Sequence, residues 1–307
     1  MILLCGIPSE SPLALVREAL EDLGAPYVFL NQRQFSIMKM VLEISGGQTR
    51  GRLNVNGESY PLEQFTGVFS RLMDSRFLPE LKNEPDSSPQ RQLCRNLFET
   101  LTRWAEVSPA RVVNRVAPMG SNFSKPFQAQ LIRRFGFEVP ETLITNDPEL
   151  VRAFRARHQK IIYKSISGVR SIVQTFNDED MTRLDNIRWC PTQFQAFVEG
   201  TNVRVHTVGQ KVFATAISTE ATDYRYAQRQ IGDHAELREV ELSDELAEMC
   251  VKLSEGLGLA FAGIDLKITP DKRVYCFEVN PSPAFSYYQA NTGQPIARAV
   301  AEYLAGE

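Results

Sequence analysis

Asp265 and Glu278 are two carboxylates in the stretch GIDLKITPDKRVYCFEVNPSP, which otherwise has the pattern of a β-hairpin. A turn at Asp271 and Lys272 places them directly opposite each other on neighbouring strands, with about 5 Å between their Cβ atoms. Like charges at that separation destabilise a sheet, whereas a bound cation stabilises it. Mg²⁺ prefers oxygen ligands and is usually held by one or two carboxylates together with substrate phosphates. With the side-chain carbonyl of Asn280, the pair predicts a magnesium site; the alternative is a set of solvated side chains on an exposed sheet face.

Side-chain alternation assigns a face to each residue of this predicted hairpin. On the first strand, Asp265 and Lys267 share one face, and the apolar residues between and beside them occupy the other. On the second strand, four residues spaced two apart are expected on one face: Val274, Cys276, Glu278 and Asn280. The predicted ligands are therefore expected on the same face as a cysteine.

Lys164 lies in IIYKSI, an otherwise apolar strand pattern, directly before the short loop SISGVRS. In a functional interpretation its ammonium meets a nucleotide phosphate, while backbone N–H groups at Ser167 and Gly168 cover the phosphate chain. In the alternative interpretation the ammonium simply reaches solvent along its alkyl stem. One glycine is a weak signal for a phosphate-binding loop, so the motif by itself leaves both interpretations open.

Three segments must position these side chains. Residues 1 to 110 have the pattern of an α/β unit that begins with a buried strand, and residues 137 to 200 have the pattern of a small α+β segment. After residue 200, the pattern predicts antiparallel strands, a helix from Ser243 to Leu257, the hairpin, and a final helix from about Pro295 to Leu304.

The composition favours an ordinary globular protein. The 307 residues are 43% hydrophobic and 23% charged, with a formal net charge of −3, which gives no electrostatic reason to expect nucleic acid or a membrane surface as partner. The five cysteines are scattered without a CxxC pair, so reduced thiols are expected rather than a zinc site. No apolar run approaches the roughly 20 residues that span a bilayer, and the first residues have no basic leader. We therefore expect a cytoplasmic protein.

Taken together, the motifs resemble those of the ATP-grasp ligases over essentially the whole chain. The segments that carry the resemblance are NRVAPMGSNFSKPFQAQLIRRFGFEVPETLITND, IIYKSISGVRSIV, TQFQAFVEGTNVRVHTVG and the hairpin. The chain looks most similar to the RimK-like glutamate ligases and to the macrocycle-forming ligases that modify ribosomal peptides. The resemblance implies an α+β ATP-grasp fold: an N-terminal α/β domain (1–115), a small central lid domain (116–195) and a C-terminal antiparallel-sheet domain (196–307) that carries the magnesium site.

The resemblance also implies a nucleotide site. Lys125 and Lys164 match the two nucleotide-binding lysines, and the loop with Ser167 and Gly168 matches the phosphate-covering loop. Asn202 falls where the family often has an acidic residue for the ribose hydroxyls. The adenine edge is expected to pair with the backbone of a hinge formed by Gln195, Ala196, Phe197 and Val198, the first of which replaces a commonly acidic residue.

Catalytic and metal positions follow from the same resemblance. Arg204 matches an arginine near the transferred phosphate, and Arg225 matches one that can hold a substrate carboxylate through two hydrogen bonds. Surface arginine is the alternative for Arg225, and Arg170 and Arg229 are weaker candidates of the same type. The matching magnesium ligands are Asp265, Glu278 and Asn280.

Other residues have two interpretations each. His206 is better explained as a packed or solvated histidine than as a catalytic group. Tyr287 and Tyr288 either wall a substrate pocket or are packing aromatics. The strand that ends at Arg71 and the loop near Asp86 are candidates to line a peptide groove.

The implied reaction is ATP-dependent joining of a carboxylate to an amine through an acyl phosphate, with ATP and Mg²⁺ as cofactors and release of ADP and phosphate. The substrate is expected to be a small molecule or peptide with a carboxylate and an amine acceptor, without a nucleic-acid or membrane partner. A homo-oligomer is compatible with the sequence. Two alternatives are a non-catalytic ATP-binding sensor or scaffold, and an ATP-grasp kinase that stops at phosphorylation.

Overall fold

The first third of the chain forms two sheets. The computed structural model describes residues 1–166, 173–219 and 235–307. The strands are β1 (Ile2–Gly6), β2 (Tyr27–Asn31), β3 (Lys39–Ser45), β4 (Gln48–Val55), β5 (Glu58–Pro61), β6 (Gly67–Ser70) and β7 (Arg111–Val113). Strands in the order β2-β1-β6-β7 pair in parallel and form the N-terminal sheet, whereas β3-β4-β5 is an antiparallel sheet. The helices α1 (Ser11–Asp22) and α2 (Pro89–Val107) accompany them, as an α/β unit predicts.

The dipeptide Asn56-Gly57 makes the turn between β4 and β5. Both residues have positive φ angles, 56° and 82°, which is the backbone that a two-residue hairpin turn requires and that this dipeptide adopts readily. The dipeptide Asn-Gly is a sequence signal for a two-residue hairpin, and the structure contains that hairpin here.

The middle of the chain forms a second antiparallel sheet, the central sheet. Its strands are β8 (Thr142–Thr145), β9 (Ile161–Ser165), β10 (Gln174–Thr175) and β11 (Thr192–Ala196), in the order β10-β9-β11-β8. The helices in this part are α3 (Val116–Met119), α4 (Lys125–Arg133), α5 (Pro148–His158) and α6 (Asp178–Thr182). Phe154, Phe176 and Phe194 lie in the core between α5 and this sheet.

The last part forms a five-stranded antiparallel sheet, the C-terminal sheet, in the order β14-β13-β12-β15-β16. Its strands are β12 (Thr201–Val208), β13 (Lys211–Ser218), β14 (Glu236–Val240), β15 (Phe261–Ile268) and β16 (Val274–Asn280), followed by α8 (Ser286–Thr292) and α9 (Ile296–Ala305), with α7 (Asp244–Gly256) between β14 and β15. Ile132 of α4 and Phe137 pack in the core of this sheet rather than with the central sheet.

The helix α9 returns to the N-terminal sheet. Val300 and Leu304 are fully buried in one core with Leu4 of β1 and with Leu13 and Val16 of α1. Short 3-10 turns complete the described structure at Gln32–Ile37, Leu62–Gln64, Ser75–Phe77, Pro79–Leu81, Gly120–Phe123 and Leu184–Trp189. Among the described helices, none combines the length and the apolar character that crossing a membrane requires.

Candidate active site

A β-bulge lies at the centre of the site. Asp265 on β15 pairs with Glu278 on β16, as the turn position predicted, but the next pair is Leu266 with Cys276. Phe277 is therefore an extra residue on β16. The prediction that Cys276 shares a face with Glu278 was wrong, because the extra residue shifts the alternation by one. Val274 and Cys276 face the core, whereas Phe277 and Glu278 line a cleft.

Each of the two carboxylates has a cationic partner. Arg204 on β12 lies opposite Asp265, and its Nη1 donates to Asp265 Oδ1 at 2.7 Å. The ammonium of Lys125, the first residue of α4, donates to Glu278 Oε1 and, at 2.7 Å, to Asn122 Oδ1. Ser124 caps the same helix, so the helix begins at Lys125. The repulsion expected between the carboxylates is thus offset by two cations that reach them from different elements.

The donor set suits magnesium. Asn280 lies opposite Gly263, and its Oδ1 accepts a hydrogen bond from the Ser282 N–H at 2.9 Å, which leaves a second lone pair on that oxygen. In the described ranges no cluster holds three or more His, Cys, Asp or Glu side chains suited to a metal ion. Two carboxylates and one amide oxygen fit an ion that takes its other ligands from phosphate oxygens and water, as Mg²⁺ does. The residues present therefore fit Mg²⁺ held together with a nucleotide.

The cleft lies between the central and C-terminal sheets, and we call it the inter-sheet cleft. Lys164 on β9 lies opposite Gln193 and lines it from the central sheet. Asn202 lines it from β12, and Asp265 and Glu278 line it from the hairpin. The structure thus brings Lys164, Asn202 and the two carboxylates to a single cavity, although they are distant in sequence.

The hinge residues make hydrogen bonds that narrow the expected adenine contacts. Gln195 is buried, and its Nε2 donates to Thr142 Oγ1 at 3.0 Å. The Ala196 N–H donates to the Glu141 carbonyl at 2.9 Å, and the Phe197 N–H donates to the Lys160 carbonyl at 3.0 Å. Those two N–H groups are therefore committed inside the protein. The described part of the chain shows no hydrogen bond from the Val198 N–H.

Two lysines contact the ring of Phe197 at the edge of the cleft. The Lys160 ammonium lies 3.7 Å from the ring centroid and the Lys267 ammonium 5.1 Å from it. Burial, followed by the charge of Lys160, lowers the pKa of Lys267 below its ordinary value. Lys267 also lies opposite Asn202. Sequence analysis missed Lys160, because a lysine that begins a strand looks like a solvated end residue.

His206 is a packed histidine, as expected. Its ring is fully buried and makes an edge contact with Tyr288 at 4.9 Å between centroids. Burial, and secondarily the charge of Arg204, hold the pKa of His206 well below its usual value, so the imidazole is neutral. The Arg204 guanidinium lies 5.6 Å from the Tyr288 ring centroid. Tyr288 is therefore a buried aromatic that supports Arg204, whereas Tyr287 is half exposed.

Gly263 makes room for Arg204. A Cβ atom at this position would lie 2.2 Å from Arg204 Nη2 and 2.8 Å from Pro283 Cβ, closer than side chains approach. Any larger residue at position 263 would therefore push the guanidinium away from Asp265.

The segment that carries these site residues matches a known protein family. Residues 124–304 match the model of the RimK-like ATP-grasp domain. The chain belongs to the RimK-like ATP-grasp family. The family expected from the sequence motifs is confirmed.

Solved structures resemble the RimK-like chain over nearly all its length. A RiPP-associated ATP-grasp ligase from Chryseobacterium gregarium, solved with ADP and a leader and core peptide, covers 99% of this chain and 96% of its own, with a TM-score of 0.82 and 22% identity. The ATP-grasp ligase PsnB, solved with a phosphomimetic variant of minimal precursor, Mg and ADP, covers 99% of this chain and 97% of its own, with a TM-score of 0.79 and 26% identity. The predicted α+β ATP-grasp fold is confirmed.

Curated relatives match the RimK-like chain over a shorter stretch. A probable alpha-L-glutamate ligase from Haemophilus influenzae is 23% identical over 57% of this chain and 60% of its own length. The chain therefore spans less than two thirds of that relative.

Two residues of the RimK-like chain that sequence analysis did not connect to the site hold the turn after Asn280. Arg71 Nη1 donates to Ser282 Oγ at 3.1 Å and to the Pro283 carbonyl at 3.3 Å. The Asn114 Nδ2 donates to the carbonyls of Phe261 and Pro281, each at 2.6 Å. Both contacts join residues far apart in sequence, so no local pattern indicates them.

Several sequence predictions for this RimK-like chain cannot be placed in the structure. Ser167, Gly168 and Arg225 lie outside the described residues, as do the weaker candidates Arg170 and Arg229. Their roles stay predictions.

Proposed function

We propose that this RimK-like chain is an ATP-dependent carboxylate–amine ligase that forms an amide bond on a peptide or amino-acid substrate, with release of ADP and phosphate. The observation that carries the proposal is the pairing of Asp265 with Glu278 in the inter-sheet cleft, each carboxylate bonded to a cation. A cleft with paired carboxylates and converging lysine and arginine side chains suits a nucleotide polyphosphate with its metal ion.

The nucleotide would lie along the inter-sheet cleft. Lys125 and Lys164 would neutralise phosphate charge, and the Val198 N–H would donate to the adenine edge. The Asn202 amide would hydrogen-bond the ribose hydroxyls. Asp265, Glu278 and Asn280 would hold Mg²⁺, which when bound would supply positive charge that offsets the charge of the phosphates. When the nucleotide binds, the ammonium of Lys125 would release the Glu278 carboxylate and donate to a phosphate oxygen instead.

The reaction then depends on position and charge. The substrate carboxylate attacks the γ phosphorus, the bond to the β–γ bridging oxygen breaks, and ADP leaves with that electron pair. The amine nitrogen then attacks the acyl carbon, phosphate leaves, and the nitrogen loses a proton. Arg204, fixed by Asp265 and by Tyr288, would stabilise the negative charge of the transferring phosphoryl group. Arg225 would hold a substrate carboxylate.

A peptide substrate is supported by a second cleft in the N-terminal part. It is lined by Met73, Asp86, Arg91 and Phe98, among others, so it contains Asp86 of the loop suggested by the sequence and residues that follow the suggested strand. Arg71, which hydrogen-bonds Ser282 in the turn after Asn280, directly precedes in sequence the first lining residues of this stretch. We propose that an extended peptide runs from this cleft toward the carboxylates. We also propose that the chain works in the cytoplasm, where ATP is supplied, with neither nucleic acid nor a membrane as partner.

The test is a screen of purified chain with ATP, Mg²⁺ and peptides that carry Asp, Glu and Lys, with and without free glutamate. We expect ADP release together with a product whose mass is that of the joined or cyclised substrates minus one water. ATP binding by calorimetry without ADP release for any substrate would support the sensor or scaffold alternative. A stable phosphorylated product formed without an amine would support the kinase alternative.

A further inference from the structure

Gln128 makes two hydrogen bonds to the residue between two predicted magnesium ligands. Gln128 lies on α4 and is 1% exposed. Its Nε2 donates to the Val279 carbonyl at 2.8 Å, and its Oε1 accepts from the Val279 N–H at 3.0 Å. Val279 stands between Glu278 and Asn280 on β16. One side chain thus satisfies both backbone groups of Val279.

These bonds take the place of strand pairing at the edge of the C-terminal sheet. Within the part of the chain that the structure describes, β16 is the last strand of the C-terminal sheet, so its outer edge has no neighbouring strand. Before the bulge, the backbone of Glu138 covers this edge, accepting from the Cys276 N–H at 2.9 Å and donating to the Val274 carbonyl at 3.1 Å. After the bulge, Gln128 covers it. Phe277 and Glu278 therefore lie between two fixed points on an edge that would otherwise be free to shift.

The same helix presents Lys125 to Glu278. Lys125 and Gln128 are three residues apart, so they lie on one side of α4. Lys125 bonds the carboxylate of Glu278 while Gln128 bonds the backbone of the next residue. The helix and the strand are thereby held in one register at the position where cation and carboxylate meet.

We propose that Gln128 is a positioning residue that sets the metal-binding geometry of Glu278 and Asn280. This inference rests on the proposed magnesium site. A glutamine is required because its amide offers a donor and an acceptor in the order that a strand backbone needs. Leucine fills the same space with neither group, and glutamate would place an oxygen against the Val279 carbonyl. Either change leaves a buried backbone group unsatisfied beside the ligands.

The experiment measures the Mg²⁺ dependence of ADP binding by calorimetry, which needs no peptide substrate. We expect Gln128→Leu to raise the Mg²⁺ concentration for half-maximal ADP binding about tenfold or more, as loss of a residue that orients a metal ligand does. Binding of ADP without Mg²⁺ should change little. Gln128→Glu keeps the size and one hydrogen bond, so it provides the same measurement if the leucine variant does not fold.

Gln32→Leu is the matched control. Gln32 is also 1% exposed, and it makes the same pair of bonds to the backbone of Met73, at 2.6 and 2.8 Å, in the N-terminal part of the chain. Its loss should lower the unfolding free energy comparably and leave the Mg²⁺ requirement unchanged. Equal Mg²⁺ requirements in the Gln128 variants and in Gln32→Leu would overturn the inference. ADP binding by the wild type that is independent of the Mg²⁺ concentration would instead overturn the proposal of a magnesium site.

Discussion

Asp265 and Glu278 lie opposite each other on β15 and β16, and the residue before Glu278 is the extra residue of a bulge. Because of that bulge, Phe277 and Glu278 both line the inter-sheet cleft, while Cys276 faces the core. The strand therefore supplies an apolar ring and a carboxylate to the same cavity from consecutive positions. This is a suitable arrangement for a ligand with a flat apolar part and a charged part.

Replacing Glu278 with glutamine should stop the reaction while preserving the fold. The change removes a negative charge from the pair with Asp265 and leaves Lys125 facing an amide. We expect ADP release to fall by at least about 10²-fold, with an unfolding free energy near that of wild type. Asp271→Asn, at the exposed turn of the same hairpin, is the control and should retain turnover. Unchanged turnover in Glu278→Gln would contradict the metal assignment.

Gly263→Ala should impair catalysis through Arg204. The new methyl group would displace a guanidinium that is now 2.7 Å from Asp265. We expect the rate of ADP release to fall about 10- to 100-fold, because small misplacements of a charge-stabilising group are costly. Steady-state assays should place most of the loss in kcat. Gly120→Ala meets no atom within 4 Å and should behave like wild type; equal rates for the two variants would be evidence against the role of Arg204.

His206 should make stability depend on pH. Its pKa is well below 6.5 in the folded protein and returns to about 6.5 on unfolding, so between these values the unfolded chain binds the proton. Stability must therefore fall as pH decreases below about 6.5. Urea denaturation should show that His206→Phe, which fits among Tyr288 and Phe261, loses this part of the pH dependence; an identical pH profile would refute it.

Asn114→Ala should destabilise the protein strongly. The amide group of Asn114 bonds the carbonyls of Phe261 and Pro281 and accepts from the Phe261 N–H at 3.1 Å, all in buried surroundings. Their loss should lower the unfolding free energy by about 2 to 4 kcal/mol. Asn146→Ala removes one exposed bond to the Arg188 carbonyl and should cost less than about 0.5 kcal/mol. Denaturant titration of both variants checks the difference, and similar losses would contradict the role of the buried amide.

Thiol reactivity should separate Cys190 from the other cysteines. Cys190 is exposed, whereas Cys5, Cys94, Cys250 and Cys276 are buried. Burial raises the pKa of the Cys94 thiol to about 11 and of the Cys250 thiol to about 12, so thiolate is scarce at both. A disulfide reagent should modify one thiol rapidly in the native protein and the remainder only after unfolding. Rapid modification of a second thiol would show that one of the buried sites opens.

Much of the fold follows from local patterns. The turn at Asn56-Gly57 and the final helix were predictable, because turn chemistry and apolar spacing act over a few residues. The pairing of Asp265 with Glu278 was also predicted from the turn. The bulge was not, since nothing in the letters around Phe277 marks it as the extra residue. It arises from how the whole strand fits its neighbour and the core.

The supporting residues of the site were harder to find. Arg71 and Asn114 act across 211 and 147 residues, so only the folded chain brings them to the hairpin. Gln128 did leave a signal. It lies four residues before Ile132, on the buried side of α4, where a polar residue needs a partner. A glutamine on an apolar helix face is thus a sequence feature that predicts a backbone-binding side chain.

The packing of α9 has a consequence for biosynthesis. Val300 and Leu304 complete the core over one face of the N-terminal sheet, yet they are made nearly 300 residues after β1. While the chain is being translated, that face cannot be covered by its native partner, although its strands have left the ribosome. The N-terminal part should therefore remain a chaperone client until residues 296–305 emerge, and chains that terminate early should aggregate rather than persist in a partly folded form.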